Sequence, residues 1–263
     1  MAAAGLNTQL IVPVLELQNW ILDLVLVLVP VSAFILAAPV FGNAMVPTRV
    51  KAAVAVGIAI ALQPVLPVPE LLTLSDRLLL TLWQSIAGLG LGFATLMFFQ
   101  IFVIAGQFVG MQMGLGFASM VDPGNGLQVT VWSQFYLMLA TLCFLSIDGH
   151  LLALEVLVRG LSLTPALMTL EFGDFAWQLA ILGGWMFAGG ASIALPAVFA
   201  LLVVNLAFGV MSRSAPQLNI FSLGFPFSLL FGLLLIWWTL STWLPIFDSE
   251  STELLERLVQ LVG

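Results

Sequence analysis

The sequence predicts an all-α integral membrane protein, and its composition, its repeated apolar runs and its scarcity of charge support this fold class. Of the 263 residues, 62% are hydrophobic and only 7% are charged, whereas a soluble domain carries about 25% charged residues. A soluble core of this length could not cover so much apolar surface. The apolar stretches are numerous, so we expect a multi-pass protein built from helices.

Six apolar runs follow one another, at residues 10–41, 52–69, 78–105, 129–147, 178–210 and 225–244. A straight span needs about 20 residues, so the second run is barely long enough. The first, third and fifth runs must tilt, kink or continue past the bilayer. We expect Pro30 and Pro39 to break the first run and Pro196 to break the fifth, because proline removes a helical hydrogen bond.

The charge and the rare side chains exclude several classes of protein. The net charge is −7, from 13 acids and 6 bases, which argues against nucleic acid as a partner and against a polybasic lipid-binding patch. Cys143 is the only cysteine and His150 the only histidine, so an internal disulfide and a Cys- or His-based metal site are excluded. We expect no metal and no cofactor. Residues 1–11 carry no basic residue, so we expect the first apolar segment to be retained.

The orientation signal is small. If the six runs are six spans, the loop with Arg49 and Lys51 and the loop with Arg213 lie on one side, which the positive-inside rule makes cytoplasmic. The remaining arginines would then lie on the opposite side: Arg77, Arg159 and Arg257.

The most informative segment combines glycines, glutamines and methionines inside this apolar sequence. Irregular, glycine-rich backbone at membrane depth is tolerated only where it is buried in protein or lines a cavity. We therefore predict a channel plug or gate formed by Gly106, Gln107, Gly110, Met111, Gln112, Met113, Gly114 and Gly116, ended by Asp122 and Pro123. The alternative is a tight contact between helices, because glycines spaced by four residues are also typical of ordinary transmembrane packing.

Two other groups of polar residues allow more than one interpretation. Glu16 and Asp23 lie seven residues apart, hence on one face of the first helix, where they could form a proton path, contact a partner subunit or reach the membrane surface. Asp148 and His150 could form an acid–base pair. The sequence has no nucleophile elbow, so we favour a structural role in which Asp148 caps a helix that begins near Leu151.

The C-terminal part predicts a helical hairpin followed by an amphipathic helix. The breaks at residues 121–126 and 163–174 precede two long apolar runs that residues 211–224 connect. The tail at residues 249–262 has leucines at helical spacing and acids around them, with Ser251 and Thr252 as candidate caps. The leucines are Leu254, Leu255, Leu258 and Leu261.

Three strings in this order make the chain resemble the FliR/SctT family of export-gate membrane subunits. They are residues 106–114 with Asp122-Pro123, the Asp148-Gly149-His150 triplet, and residues 213–221 (RSAPQLNIF) with 224–226 (GFP). The resemblance covers nearly the whole chain. Members of this family serve flagellar biosynthesis or virulence type III secretion.

The resemblance implies an architecture of kinked helical hairpins packed in a helical export-gate assembly. It implies a FliP-like helical region at residues 1–175, with an inner plug at 106–126, fused to a FliQ-like hairpin with its amphipathic helix at 176–263. It also implies a cytoplasmic loop that faces a partner, with the residues Arg213, Pro216, Gln217, Asn219 and Phe221.

The function that the resemblance implies is that of a non-enzymatic subunit of the flagellar type III export gate. Such a subunit lies in the bacterial inner membrane, at the flagellar basal body, and forms part of the channel for unfolded flagellar proteins. The implied partners are FliP-like and FliQ-like subunits and an FlhB-like switch protein. The alternatives are a virulence export gate, a proton-coupled small-molecule transporter with Glu16 and Asp23 as relay residues, and an intramembrane enzyme using Asp148 and His150.

Overall fold

The protein is described by a computed structural model, which covers residues 2–43, 45–66, 74–116, 130–162, 172–214 and 224–262. All regular secondary structure in these ranges is helical. The helices are α1 (Ala2–Ala37), α2 (Thr48–Leu62), α3 (Leu74–Gln112), α4 (Val131–Ser146), α5 (Gly149–Ser162), α6 (Phe172–Ser214), α7 (Phe225–Thr239) and α8 (Trp243–Val262). A single 3₁₀ turn, Leu240–Thr242, joins α7 to α8.

The described helices confirm an all-α, multi-pass membrane protein, and they provide fewer candidate spans than there are apolar runs. Four helical stretches are long and apolar enough to cross a bilayer: Leu17–Ala37, Ser75–Gln112, Gly173–Arg213 and Phe225–Leu261. A fifth is obtained if α4 and α5 count as one broken span. Helix α2 has only 15 residues and is too short, because a span needs about 20. The described helices therefore do not make every apolar run a span, and the orientation argument, which applied only if there were six spans, loses its premise.

The prolines act differently from the prediction. Helix α1 continues through Pro30, and α6 continues through Pro196 over 43 residues. Transmembrane helices tolerate proline because neighbouring helices, hydroxyl side chains and local adjustments satisfy the freed backbone groups. The predicted breaks at Pro30 and Pro196 are therefore wrong. The break at Pro39 is confirmed, since α1 ends two residues before it.

The chain folds into two compact units that do not follow its order. One unit comprises residues 1–96, 151–176 and 257–263, and the other comprises residues 97–150 and 177–256. The predicted division into a FliP-like part and a FliQ-like hairpin at residue 175 concerns likeness to other subunits, and it stays a prediction.

In the first unit, α3 packs directly on the backbone of α1. A Cβ atom on Gly88 would lie 2.5 Å from the carbonyl oxygen of Pro30, and one on Gly92 would lie 2.8 Å from that of Phe34. Only glycine fits at such distances, so these two residues set how closely the helices approach. The adjoining side chains of α1, including Val31 and Phe34, are buried.

In the second unit, an aromatic cluster joins α3, α4 and α8. The ring of Phe98 lies 5.4 Å from that of Phe102 and 5.5 Å from that of Phe247. Phe102 also contacts Trp243 at 5.1 Å, and Phe98 contacts Phe144 at 5.9 Å. Each such pair stabilises by about 0.5–1.5 kcal/mol beyond the burial of its area. This cluster fixes the half of α3 that leads into the predicted gate.

Helix α8 is amphipathic, as predicted, but it begins earlier. Its leucines at 254, 258 and 261 are buried. The helix starts at Trp243 rather than near residue 249, because the apolar run continues into it. Ser251 and Thr252 therefore lie inside the helix, and both hydroxyls donate to the carbonyl of Asp248 at 2.9 Å. The prediction that they cap the helix start is wrong.

Candidate gate segment

The gate segment, defined as residues 106–126, begins as regular helix. Helix α3 continues to Gln112, so the predicted irregular backbone is absent from residues 106–112 and begins only at Met113. Residues 113–115 form a turn, whereas Asp122 and Pro123 lie outside the described residues.

Gly114 ends helix α3. Its φ angle is 84°, in the left-handed region where a side chain is strained. The amide of Gly114 donates to the carbonyl of Met111, and the amide of Leu115 donates to that of Gly110, both at 3.0 Å. These two bonds form a Schellman motif, which satisfies carbonyls that the helix end leaves unpaired. Gly114 is thus required for the shape of the segment.

Gln107 ties the start of the gate segment to helix α4. Its side-chain oxygen accepts hydrogen bonds from the amide of Thr130 at 2.9 Å and from the hydroxyl of Ser133 at 3.0 Å. The hydroxyl of Thr130 donates to the carbonyl of Gly106 at 3.3 Å and accepts from the amide of Ser133, capping α4. Gln107 therefore has its polar partners at the start of α4.

Gly106 and Gly110 are close-packing residues at the same contact. A Cβ atom on Gly106 would lie 2.6 Å from the Cα of Ser133 and the carbonyl oxygen of Trp132. One on Gly110 would lie 2.6 Å from the hydroxyl oxygen of Thr130. The packing interpretation therefore applies to these two glycines. A role of the segment in closing a channel stays a prediction.

The other end of the described segment contacts helices α6 and α7. The side-chain amide of Asn205 donates to the carbonyl of Gln112 at 3.1 Å, and the hydroxyl of Ser228 donates to the side-chain oxygen of Asn205 at 2.8 Å. Met113 is 1% exposed and lies against Gly232, where a Cβ would come within 2.6 Å of it. Met111, in contrast, is 57% exposed.

The sequence analysis missed the partners of the segment: Thr130, Ser133, Asn205, Ser228 and Gly232. One signal was available, because Asn205 is the only amide side chain between residues 179 and 210. An amide in an apolar span is expected to bond to a neighbouring helix.

Of the two predicted intramembrane charges, only Asp23 has a described side chain. Asp23 forms an ion pair with Arg77 at 2.9 Å, and their side chains are 28% and 16% exposed. Arg77 lies in the first turn of α3 and is paired through this contact. The side chain of Glu16 lies outside the described residues.

Asp148 and His150 do not have the geometry of an acid–base pair. Asp148 is exposed and has a φ angle of 55°, at a break after which α5 begins at Gly149 rather than near Leu151. The Nδ1 atom of His150 is buried and has no hydrogen-bond partner in the described part of the chain. These residues mark a helix junction, where Gly149 lies against the ring of Phe144.

The predicted partner-facing loop is described only at its start. Arg213 lies in the last turn of α6 and is exposed, where a cation suits the negative end of the helix dipole. The other predicted loop residues lie outside the described residues: Pro216, Gln217, Asn219 and Phe221. Among the residues with described positions, no group of His, Cys, Asp or Glu could hold a metal ion.

The long apolar helices, the packed glycine contacts and the polar ties inside them define a multi-pass membrane protein. Residues 21–254 match the family described as bacterial export proteins, family 1. The match spans most of the chain, so the protein belongs to this family of bacterial export proteins.

Curated relatives of nearly equal length carry one name, flagellar biosynthetic protein FliR. The protein from Escherichia coli (strain K12) is 34% identical over 90% of this chain and 91% of its own length. The one from Pectobacterium carotovorum subsp. carotovorum is 33% identical over 94% of both chains. The one from Bacillus subtilis (strain 168) is 30% identical over 94% of this chain and 99% of its own length.

Proposed function

We propose that this chain is a subunit of the flagellar type III export gate, in which it forms part of the channel for unfolded flagellar proteins. The observation that carries the proposal is similarity over nearly the whole chain to proteins named for flagellar biosynthesis, together with membership of a family of export proteins. The chain acts without catalysis, in the bacterial inner membrane at the flagellar basal body. The virulence type III alternative has no support from these relatives.

The exposed apolar surface supports an assembly with other membrane subunits. In the most apolar stretches of α6 and of α7–α8, only 17% of the residues are buried. Phe199, Trp237 and Trp238 are more than half exposed. We propose that FliP-like and FliQ-like subunits cover part of this surface, and that an FlhB-like switch protein contacts the loop after Arg213.

The assembly is tested by tagging the chain in a flagellated host and recovering the detergent-extracted complex. Native mass spectrometry is expected to find the chain with other apolar export subunits, and deletion of the chain is expected to abolish flagella. A deletion strain that still assembles flagella would contradict the flagellar role. Purified chain that transports a small molecule alone in liposomes would favour a transporter instead.

We further propose that the gate segment closes the channel. The described part of the segment contains Gly114, which ends helix α3, one exposed methionine and one buried methionine. Methionine side chains are flexible and polarizable, so they can seal against an irregular surface and move aside for a substrate. A plug of this kind prevents ion flow at rest and takes no part in driving export.

Removal of residues 110–116 tests the plug. We expect membrane conductance to rise while part of the export activity and the recovered complex remain. An intact complex with unchanged conductance counts against the plug. A complex that falls apart favours the packing interpretation, which the close contacts of Gly106 and Gly110 with α4 make the direct competitor.

A further inference from the structure

We propose that Asn205 and Ser228 form a latch that holds the C-terminal end of helix α3 in the closed position, an inference that rests on the proposed plug. The latch is defined as the chain of two hydrogen bonds from Ser228 through Asn205 to the carbonyl of Gln112. Both side chains are positioning residues: they hold the gate segment and do not contact a substrate.

The latch provides a hydrogen-bond donor for the carbonyl of Gln112 at the end of helix α3. The carbonyl of Gln112 belongs to the last turn of α3, where carbonyls have no partner within the helix. The Schellman bonds at Gly114 satisfy the carbonyls of Gly110 and Met111. Asn205 supplies the partner for Gln112 from another helix. The end of α3 is thereby tied to α6 at its final residue.

The two hydrogen bonds of the latch use opposite ends of the side-chain amide of Asn205. An amide side chain can rotate to present either its oxygen or its nitrogen. The carbonyl of Gln112 can only accept, so it takes the nitrogen of Asn205. The oxygen of Asn205 then accepts from the hydroxyl of Ser228, which is 3% exposed. Ser228 therefore acts through Asn205, and both α6 and α7 must be in place for the latch to close.

The two ends of the described part of the gate segment are held by different kinds of contact. At the start, Gln107 accepts two hydrogen bonds from α4, and the backbone of Gly106 contacts that of Ser133 so closely that no side chain would fit. At the other end, the latch binds Gln112, and the side chain of Met113 packs against Gly232. A flexible side chain and two side-chain hydrogen bonds can separate without unfolding a helix. Opening is therefore expected to begin at the latch, with α4 as the fixed end.

The experiment uses the complete complex and compares Asn205→Leu, Asn205→Asp and Ser228→Ala. Leucine keeps the approximate size and removes both hydrogen bonds. Aspartate keeps the acceptor for Ser228 but loses the donor to Gln112. Two matched serine controls make hydrogen bonds only inside their own helical segment: Ser212→Ala on α6 and Ser241→Ala after α7.

We expect Asn205→Leu and Asn205→Asp to raise membrane conductance several-fold at unchanged recovery of the complex, and Ser228→Ala to raise it less. The two control variants should have the conductance of the wild type. Ser228→Thr keeps the hydroxyl, so its conductance should also be that of the wild type rather than that of Ser228→Ala. Wild-type conductance in an intact Asn205→Leu complex would overturn the latch. Loss of the complex in the Asn205 variants would also overturn it, in favour of a purely structural contact.

The deletion of residues 110–116 separates the failure of the latch from that of the plug. If the deletion conducts and Asn205→Leu does not, the latch is wrong and the plug stands. If an intact complex that carries the deletion does not conduct either, both proposals are wrong.

Discussion

Several glycines of this protein lie so close to a neighbouring residue that a larger side chain would not fit. Gly232 is the clearest case, because a Cβ there would lie 2.6 Å from both Cγ and Cε of Met113. Met113 is almost fully buried and follows the last residue of α3, so a Cβ at Gly232 must displace the Met113 side chain at the end of that helix.

We expect Gly232→Ala to lower the stability of the complex by roughly 1–3 kcal/mol, the usual range for overpacking, and to raise conductance. The thermal midpoint of the detergent-extracted complex and its conductance measure this. Gly183→Ala is the control, since nothing lies within 4 Å of that position. The second change Met113→Ala should relieve the clash, and a double variant no better than Gly232→Ala would contradict this explanation.

The ion pair of Asp23 and Arg77 sets a second residue-scale prediction. Asp23→Asn leaves Arg77 without its carboxylate while its side chain is only 16% exposed. We expect a loss of about 1 kcal/mol, at the upper end of measured exposed pairs, with flagellar export retained. The double variant with Arg77→Gln should recover part of this loss in thermal stability. If Asp23→Asn blocks export in a complex of normal stability, the proton-path interpretation is right instead.

At the scale of helices, tertiary contacts override several local signals. Glycines that predict irregular backbone lie in regular helix at Gly106 and Gly110, because α4 packs against them. Helix α6 runs through Pro196 as one element. The existence and approximate position of the long helices follow from apolar runs alone. Their ends do not, because an apolar run does not record where a neighbouring helix supplies the missing hydrogen bonds.

The same limit applies to the candidate site. Composition and spacing single out Gln107, Gln112 and the methionines as unusual, but the partners found for Gln107, Gln112 and Met113 lie 23 or more residues away in sequence. Hydrophobic periodicity and helix propensity describe neighbours three or four residues apart on a helix. They therefore cannot predict these distant pairings.

The contact between α3 and α4 gives an element-scale prediction. Gly106→Ala places a Cβ 2.6 Å from backbone atoms of Trp132 and Ser133, which cannot move as a side-chain end can. We expect the two helices to separate and recovery of the complex to fall sharply. Gly116→Ala is the control in the same segment, because its nearest neighbour, the side chain of Met111, lies 3.8 Å away. Equal recovery of both variants would show that this helix contact is dispensable.

At the scale of the whole molecule, the membrane helices leave much apolar surface for lipid and other subunits. The described residues contain four or five candidate spans, so the sidedness argument that required six spans does not apply. The exposed Arg213 at the end of α6 remains a local signal, since basic residues close to a span favour the cytoplasmic side.

We therefore expect a cysteine at Ser214, in a Cys143→Ser background, to react with a membrane-impermeant maleimide only from the cytoplasmic side. Labelling inside-out vesicles and intact spheroplasts separately measures this. A cysteine at Ser214 that reacts only in spheroplasts would reverse the orientation.

The interleaving of the two compact units has a consequence for how the protein is made. Each unit combines residues from the first 150 with residues after 150, and the stretches 177–256 and 257–263 belong to different units. A chain emerging from the ribosome therefore completes neither unit until its last helices have entered the membrane. The early helices must wait there without the contacts that later helices give to α3, such as those of Asn205 and Trp243. A nascent chain that stops before α6 should be a target for membrane proteases, whereas a tandem arrangement of units would let its first half survive alone.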